Sequence, residues 1–574
     1  MSAPRLPVVL LWHMHQPQYR DALTGQYALP WTYLHAIKDY TDMAAHLEAH
    51  ASARAVVNFT PVLLEQLEDL TQRIARHLGR GDPLPDPVLA LLGSGALPQG
   101  GRERAELLRA CLRAHRQHMI ERFAPYLELA GLAEPLATPQ RAGYASDQLL
   151  HDLAVWYHLA WMGESVRHSD VRIAALAEQG HDFSARQRRE LLALVGELIG
   201  GVIPRFGKLR AAGRCELSVS PYSHPIVPLL IDFRAARESW PGSPLPSHAG
   251  YPGGAERADW QIAESLRVFT RCFGAPPAGC WPSEGAVSAA TLQLLEARGF
   301  KWAASSDNVL RASLAASAEA QLLDRPYHLP GGRLACFFRD DRLSDLIGFT
   351  YATWHGDDAA RNLVHELTTL ARSAGAGAGS EPGAGSERAV LIALDGENAW
   401  EHYPFNGYYF LDALYAGLAA EPSLELTTLS DCLARGLEPL PLAHLRAGSW
   451  VHGTFSTWMG DAAKNAAWDL LCEAKQAFDG TLARGELADE RRAAAERQLA
   501  LCEGSDWFWW FGDYNPRESV RQFDELYRRQ LGILYELLGR PAPASLSRPL
   551  SVGAEDGRQA EMEHGGVMRR AFAK

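Results

Sequence analysis

The sequence predicts an α/β protein built on a β/α barrel, on three observations. Short apolar or β-branched runs bounded by turn residues recur seven times before residue 440. Stretches with helical periodicity separate them. The chain has 574 residues, enough for one large domain carrying a smaller one. Strand alternating with helix argues for a parallel sheet, and this many units in one domain argue for a closed or nearly closed barrel.

The seven runs are Pro7 to Trp12, Ala55 to Phe59, Cys215 to Val219, Gly279 to Trp281, Phe300 to Ala304, Leu334 to Phe338 and Val390 to Leu394. Helical patterns among them cover Tyr33 to His50, Trp260 to Phe273, Ala286 to Ala297 and Asp357 to Arg372. The alternation breaks from Leu63 to about Arg210, where the pattern is helical throughout, and this reads as an insertion after the second strand (about 63–210). The tract SAGAGAGSEPGAGSER at 373–388 has no residues to build a core. A strand follows it at once, so it reads as a flexible loop inside a barrel domain spanning 1–440. Beyond Pro441 the pattern is helical again, through Ala462 to Phe478, Glu486 to Cys502 and Glu518 to Leu538, which predicts a C-terminal helical domain over 441–553. From Ala554 periodicity is lost, and 554–574 is expected to be a loose tail.

Composition narrows the function. Hydrophobic residues at 47% and charged residues at 22% exclude a disordered or fibrous chain. No apolar run reaches about 18 residues, so no transmembrane helix is expected. Val8 to Trp12 is too short for a signal-peptide core, which makes the cytoplasm the expected location. The net charge of −12 repels phosphate backbones, so nucleic acid is not an expected partner, nor is a membrane. The eight cysteines stand singly, which excludes a zinc ribbon or CxxC redox motif and suits buried thiols in a reducing compartment. Of the 16 Trp, several adjoin Asp, Gly or His, where they would line a ligand cleft.

In β/α barrels the site lies at the C-terminal ends of the strands, so polar residues that directly follow an apolar run are the candidates. The first run ends in Trp12-His13-Met14-His15-Gln16-Pro17, and alternation puts His13 and His15 on one face. The third leads from Glu216 through Tyr222 to His224, the fourth ends in Trp281-Pro282-Ser283-Glu284-Gly285, and the sixth runs into Arg339 and Asp340. The seventh ends in Asp395-Gly396-Glu397-Asn398-Ala399-Trp400. Asp395 closes so apolar a strand that desolvation should raise its pKa and suit it to general-acid work, although a helix N-cap explains the same motif equally well. Two carboxylates with His and Trp, and no nucleophilic Ser or Cys motif or phosphate loop, match glycoside chemistry. Sugar rings pack on aromatic faces while their hydroxyls seek polar groups. The late run Ser505-Asp506-Trp507-Phe508-Trp509-Trp510 then reads either as a sugar-facing wall or as a belt gluing the helical domain to the barrel.

These motifs, taken in order as HMHQP, GRCELSVSPYSHP, GCWPSEGAVS, ALDGENAWEHYP and GSDWFWWFGD, resemble glycoside hydrolase family 57, the α-amylase, 4-α-glucanotransferase and branching-enzyme group. The resemblance covers almost the whole chain. It implies an incomplete (β/α)7 barrel followed by a helical domain, with Glu284 as nucleophile and Asp395 as general acid/base of a retaining enzyme acting on α-1,4-linked glucans. Retention implies carboxyl groups about 5–5.5 Å apart. His13, His15, Gln16, Glu216, His224, Trp281, Arg339, Asp340, Trp400, Asp506, Trp507, Trp509 and Trp510 would then surround the sugar, with no metal or other cofactor.

The SDWFWW form of the late motif leans toward the amylase side of that family rather than the branching side, where SDWP is usual. Two rival readings stand beside it. His13, His15 and a nearby Asp could chelate zinc in a metal-dependent deacetylase or α-mannosidase on a related barrel, although the first strand offers no HxD. Alternatively, the fold could serve a glucan-binding protein without activity.

Overall fold

The computed structural model describes residues 5–93, 97–314, 323–377 and 388–553, with only the backbone described for 373–377. Seven parallel strands close a barrel: β1 (Leu6–Met14), β2 (Ala55–Phe59), β3 (Cys215–Val219), β4 (Gly279–Cys280), β5 (Trp302–Ser306), β6 (Ala335–Arg339) and β7 (Val390–Asp395). Neighbours in sequence pair in space from β1 to β6, β7 lies against β1 over six residues, and one pairing, Arg339 with Leu391, closes the ring between β6 and β7. Each strand coincides with one of the seven runs. β1 runs two residues further than the apolar pattern and so carries His13 within the sheet.

Alternation along the strands sorts the side chains into two layers. Val9, Leu11, Val56, Trp281, Trp302, Ala304, Phe337, Leu391 and Ala393 fill the barrel interior. Val8, Leu10, Trp12, Met14, Val57, Phe59, Ile392 and Leu394 face the surrounding helices. The barrel is therefore a packed core whose top layer alone can hold a substrate.

The segment between β2 and β3 is helical, from Pro61–Arg80 to the long helix Ala185–Ala211. Late helices span Ala462–Ala483, Asp489–Cys502, Ser505–Trp510 and Arg517–Leu537. Short strands at Tyr327–His328, Leu424–Leu426 and Leu440–Pro441 join the sheet, too brief to give a sequence signal. The tract expected to be a loop at 373–388 starts as helix instead: Gly356–Gly377 runs through its first five residues, since alanine carries a helix onward as readily as it lines a loop. Residues 378–387 and the tail from Ala554 lie outside the described residues. All eight cysteines are unpaired. Among the described residues no helix is long and apolar enough to cross a membrane.

Candidate active site

The inward alternation that places Val9 and Leu11 in the core continues to His13 and His15, which emerge at the barrel mouth. His13 stands in register with Asn58 on one side and Asp395 on the other. The turn after β7 presses hard on β1: the Gly396 N–H donates to the His13 carbonyl (2.7 Å), and a side chain on Gly396 would strike the Met14 sulfur. Only glycine lets Asp395 approach the histidines this closely.

Three imidazoles stack there, with ring centroids of His15 and His224 at 4.0 Å and of His13 and His224 at 5.0 Å. His13 Nδ1 lies 2.6 Å from Asn58 Oδ1, whose amide nitrogen donates to Ser218. Nδ1 of His13 is therefore the donor, leaving its Nε2 to accept from His224 Nε2 at 3.2 Å. His224 Nδ1 accepts in turn from Ser505 Oγ (2.9 Å). Burial, followed by the charge of His15, pushes His13 down to about 3, and burial with both neighbouring imidazoles pushes His224 well below the ordinary range. Both are neutral at pH 7. His15 completes the group, with Nδ1 on Thr60 Oγ (3.0 Å) and Nε2 on Asp506 (2.8 Å).

Ser505 and Asp506 arrive from outside the barrel, on the helix Ser505–Trp510. Gly504 lets that helix dock, because a side chain there would meet the Ser223 carbonyl at 2.9 Å. The Ser505 N–H donates to the His224 carbonyl (2.9 Å), and buried Lys464 donates to the carbonyls of Thr457 and Phe508 (2.6 Å each). A buried Arg257–Glu503 pair at 2.7 Å secures the preceding turn.

Glu284 sits in a 3₁₀ turn after β4 with φ 57° and ψ 26°, a left-handed conformation unusual for a residue with a Cβ. Such strain of about 1–3 kcal/mol persists where surrounding contacts over-determine it. Here Trp450 does so, its backbone N–H donating to the Glu284 carbonyl (3.0 Å) and its indole Nε1 to Oε2 (2.8 Å). The other carboxylate oxygen lies 3.8 Å from His224 Nδ1. Burial, then the charge of Asp395, lifts the Glu284 carboxyl well above the usual range. Asp395 accepts from the Asn398 amide (2.7 Å), and burial raises it to about 6 against the pull of Asn398, His15 and Arg339. The Asp395 charge thus adds to burial in favouring the protonated form of Glu284.

The model of glycosyl hydrolase family 57 matches residues 9–439. The chain belongs to that family. It is thus an enzyme of the retaining glycosidase type. No curated protein matches the sequence. Among solved structures, a family 57 branching enzyme from Thermococcus kodakaraensis, crystallised with glucose, shares 16% identity at a TM-score of 0.56, with 94% of this chain and 93% of that one covered. A branching enzyme of the same family from Pyrococcus horikoshii shares 16% at 0.57, covering 98% and 100%. An α-amylase from Thermotoga maritima shares 15% at 0.56, covering 95% and 96%. At these identities the likeness establishes the common fold.

Of the family 57 residues expected from sequence, the fold gathers His13, His15, Gln16, His224, Glu284, Asp395, Asp506 and Trp510 at the mouth. Trp510 lines one pocket with His13, His15, Gln16, Asp395, Glu397 and Asn398. Trp281 lies directly beneath, fully buried against Trp450 and His13. Arg339 stacks on Trp450 at 4.8 Å while its guanidinium is held by Asp341 (2.6 Å).

Five residues stand elsewhere. Glu216 points inward one layer deeper, in register with Val56, and is bound at the barrel base by Trp302 Nε1 (2.7 Å) and by Ser430 N–H (3.0 Å) and Oγ (2.5 Å). Asp340 caps the helix Asp341–Asp345 through Leu343 N–H. Trp400 packs behind the Asp395 turn, its indole donating to the Gly396 carbonyl. Trp507 donates to the Leu501 carbonyl inside the late helices, and Trp509 packs on Trp458. Trp507 and Trp509 therefore fit the belt reading of that motif, while Asp506 and Trp510 face the mouth.

Asn58, Thr60, Ser505 and above all Trp450 were not singled out from sequence. The parity of β2 would have supplied Asn58 and Thr60. Nothing local marks Trp450. Among the described residues, a metal could be held at this mouth only by His15, His224 and Asp506, whose ligand atoms lie within 4.8 Å of one another, yet all four imidazole nitrogens already have protein partners.

Proposed function

We propose that this family 57 enzyme acts on α-1,4-linked glucans by double displacement, with Glu284 as nucleophile and Asp395 as general acid/base. The carrying observation is the pair itself: a buried Glu284 and a partly buried Asp395 at the barrel mouth, the charge of Asp395 raising the proton affinity of Glu284, and Glu284 held in a strained turn by an indole donor. The reactive form has Asp395 protonated and Glu284 ionised. Glu284 attacks the anomeric carbon as the glycosidic C–O bond breaks and Asp395 delivers its proton to the leaving oxygen. Asp395 then takes a proton from water or from an acceptor sugar hydroxyl, which attacks the same carbon and frees Glu284. Trp510 offers the sugar an aromatic face, and neutral His13 and His224 add no positive charge beside Glu284.

Hydrolysis of the α-amylase kind is the favoured outcome, on the SDWFWW form of the late motif. Transfer, as in a 4-α-glucanotransferase or branching enzyme, is the second reading, favoured by the similarity to branching enzymes. Incubation with maltoheptaose separates them. Shorter products alone mean hydrolysis, products longer than the substrate mean transfer, and an unchanged substrate would contradict both. Activity that survives exhaustive EDTA dialysis would dismiss the metal-dependent reading.

A further inference from the structure

Away from the barrel mouth, a second set of metal-ligating side chains converges. The helix Thr41–Ala49 follows β1. His46 lies on it and His50 ends it, four residues on, so both project from one face. The helix Tyr408–Ala420 follows β7 and lays Asp412 against that face, with His50 Nε2 2.8 Å from Asp412 Oδ1. One ligand atom from each residue lies within 4.8 Å of the other two. A tetrahedral ion with bonds of 2.0–2.1 Å spaces its ligands about 3.3 Å apart, so closing the site asks for side-chain shifts of at most about 1.5 Å. The His50 and Asp412 side chains, 18% and 52% exposed, are free to make them.

A second observation points to a ligand. His46 is 2% exposed and its Nε2 has no hydrogen-bond partner, whereas every ring nitrogen of His15 and His224 at the mouth has one. A buried polar atom left unpaired costs about 1–3 kcal/mol. Tyr408 and Tyr415 wall the imidazole, with ring centroids at 4.8 and 6.4 Å.

We propose that His46, His50 and Asp412 bind a divalent transition-metal ion of the zinc class, completed by water on the solvent side. Two imidazoles and one carboxylate suit zinc rather than the all-oxygen shells of calcium or magnesium. The ion clips the helix after the first strand to the helix after the last, across the seam where β1 meets β7. This site stands independently of the glucan reading.

The test titrates full-length protein, stripped with chelator and dialysed, with Zn²⁺ by calorimetry and with Co²⁺ by visible absorption. One ion per chain should bind outside the barrel mouth, with a tetrahedral Co²⁺ band, and Zn²⁺ should raise the melting temperature. Asp412→Asn and His50→Ala, at positions exposed enough to spare the fold, should weaken binding by more than the roughly 10–100-fold that loss of an outer-shell partner costs, and should abolish the thermal shift. His15→Gln should leave this binding intact. Absence of binding up to millimolar Zn²⁺, binding that persists in Asp412→Asn and His50→Ala, or its loss in His15→Gln would overturn the proposal.

Discussion

Two glutamates point into the same barrel, and they are built in opposite ways. Glu216, at the base, is wrapped by Trp302 Nε1 and by the N–H and hydroxyl of Ser430. Glu284, at the mouth, has one side-chain donor, Trp450 Nε1, and an imidazole nitrogen at 3.8 Å, on a left-handed backbone. Glu284 is the more deeply buried, and the residue type is the same. What separates them is how much of the carboxylate's hydrogen-bonding capacity the protein fills. A saturated carboxylate holds the fold together, whereas one left short of partners keeps its lone pairs for chemistry and its pKa for tuning.

Substitutions can break this contrast, and the largest effect belongs to the mouth. Glu284→Gln should lower kcat on maltodextrin by on the order of 10⁴-fold or more with a wild-type melting curve, as measured by reducing-sugar release and circular dichroism. Asp395→Asn should cost nearly as much on glucans. On a glycosyl fluoride, whose leaving group needs no proton, it should cost far less, and the alkaline fall in rate above about pH 6 should vanish. Trp450→Phe removes the sole indole donor to Glu284 and should cost about 10–100-fold in kcat, the worth of a hydrogen bond to a charged group. The acid limb of its pH–rate profile should move upward, because the Glu284 carboxylate loses what stabilises its charge.

At the base the pattern inverts. Glu216→Ala strands the Trp302 indole and should destabilise the fold by about 1–3 kcal/mol in urea titration, with kcat of the folded enzyme changed less than about threefold. A large loss of kcat in a stable Glu216→Ala protein would erase the distinction. The smallest effect concerns stability against pH. Asp395 has a folded pKa raised to about 6 from 3.8, so the native state binds its proton more tightly and stability declines as pH climbs from about 4 to 6. Asp395→Asn should flatten that decline and leave the variant more stable than wild type at pH 7.

All seven barrel strands were legible as apolar runs because interior strands are buried on both faces. The same parity that sorts Val9 and Leu11 inward carries on to His13 and His15, so a local pattern was enough to place them. Glu216 shares that inward parity with Ser218, yet parity does not tell the base of a barrel from its mouth; register with Val56 does, and register needs the neighbouring strand. Trp450 lies 166 positions from Glu284, on a loop whose course only the packed molecule defines. Trp507 and Trp509 read like a sugar-facing wall because aromatic content is visible in sequence and helix face is not. The left-handed backbone of Glu284 was equally hidden, since the WPSEG motif gives no sign of which residue before Gly285 turns.

The assignment of the under-coordinated glutamate as nucleophile is tested most directly by trapping. A 5-fluoro-α-glucosyl fluoride slows breakdown of the glycosyl-enzyme, and mass spectrometry of the digested protein locates the sugar. The adduct should sit on the peptide carrying Glu284 and be absent from Glu284→Gln. An adduct on any other carboxylate, or turnover of the reagent with none formed, would contradict the account.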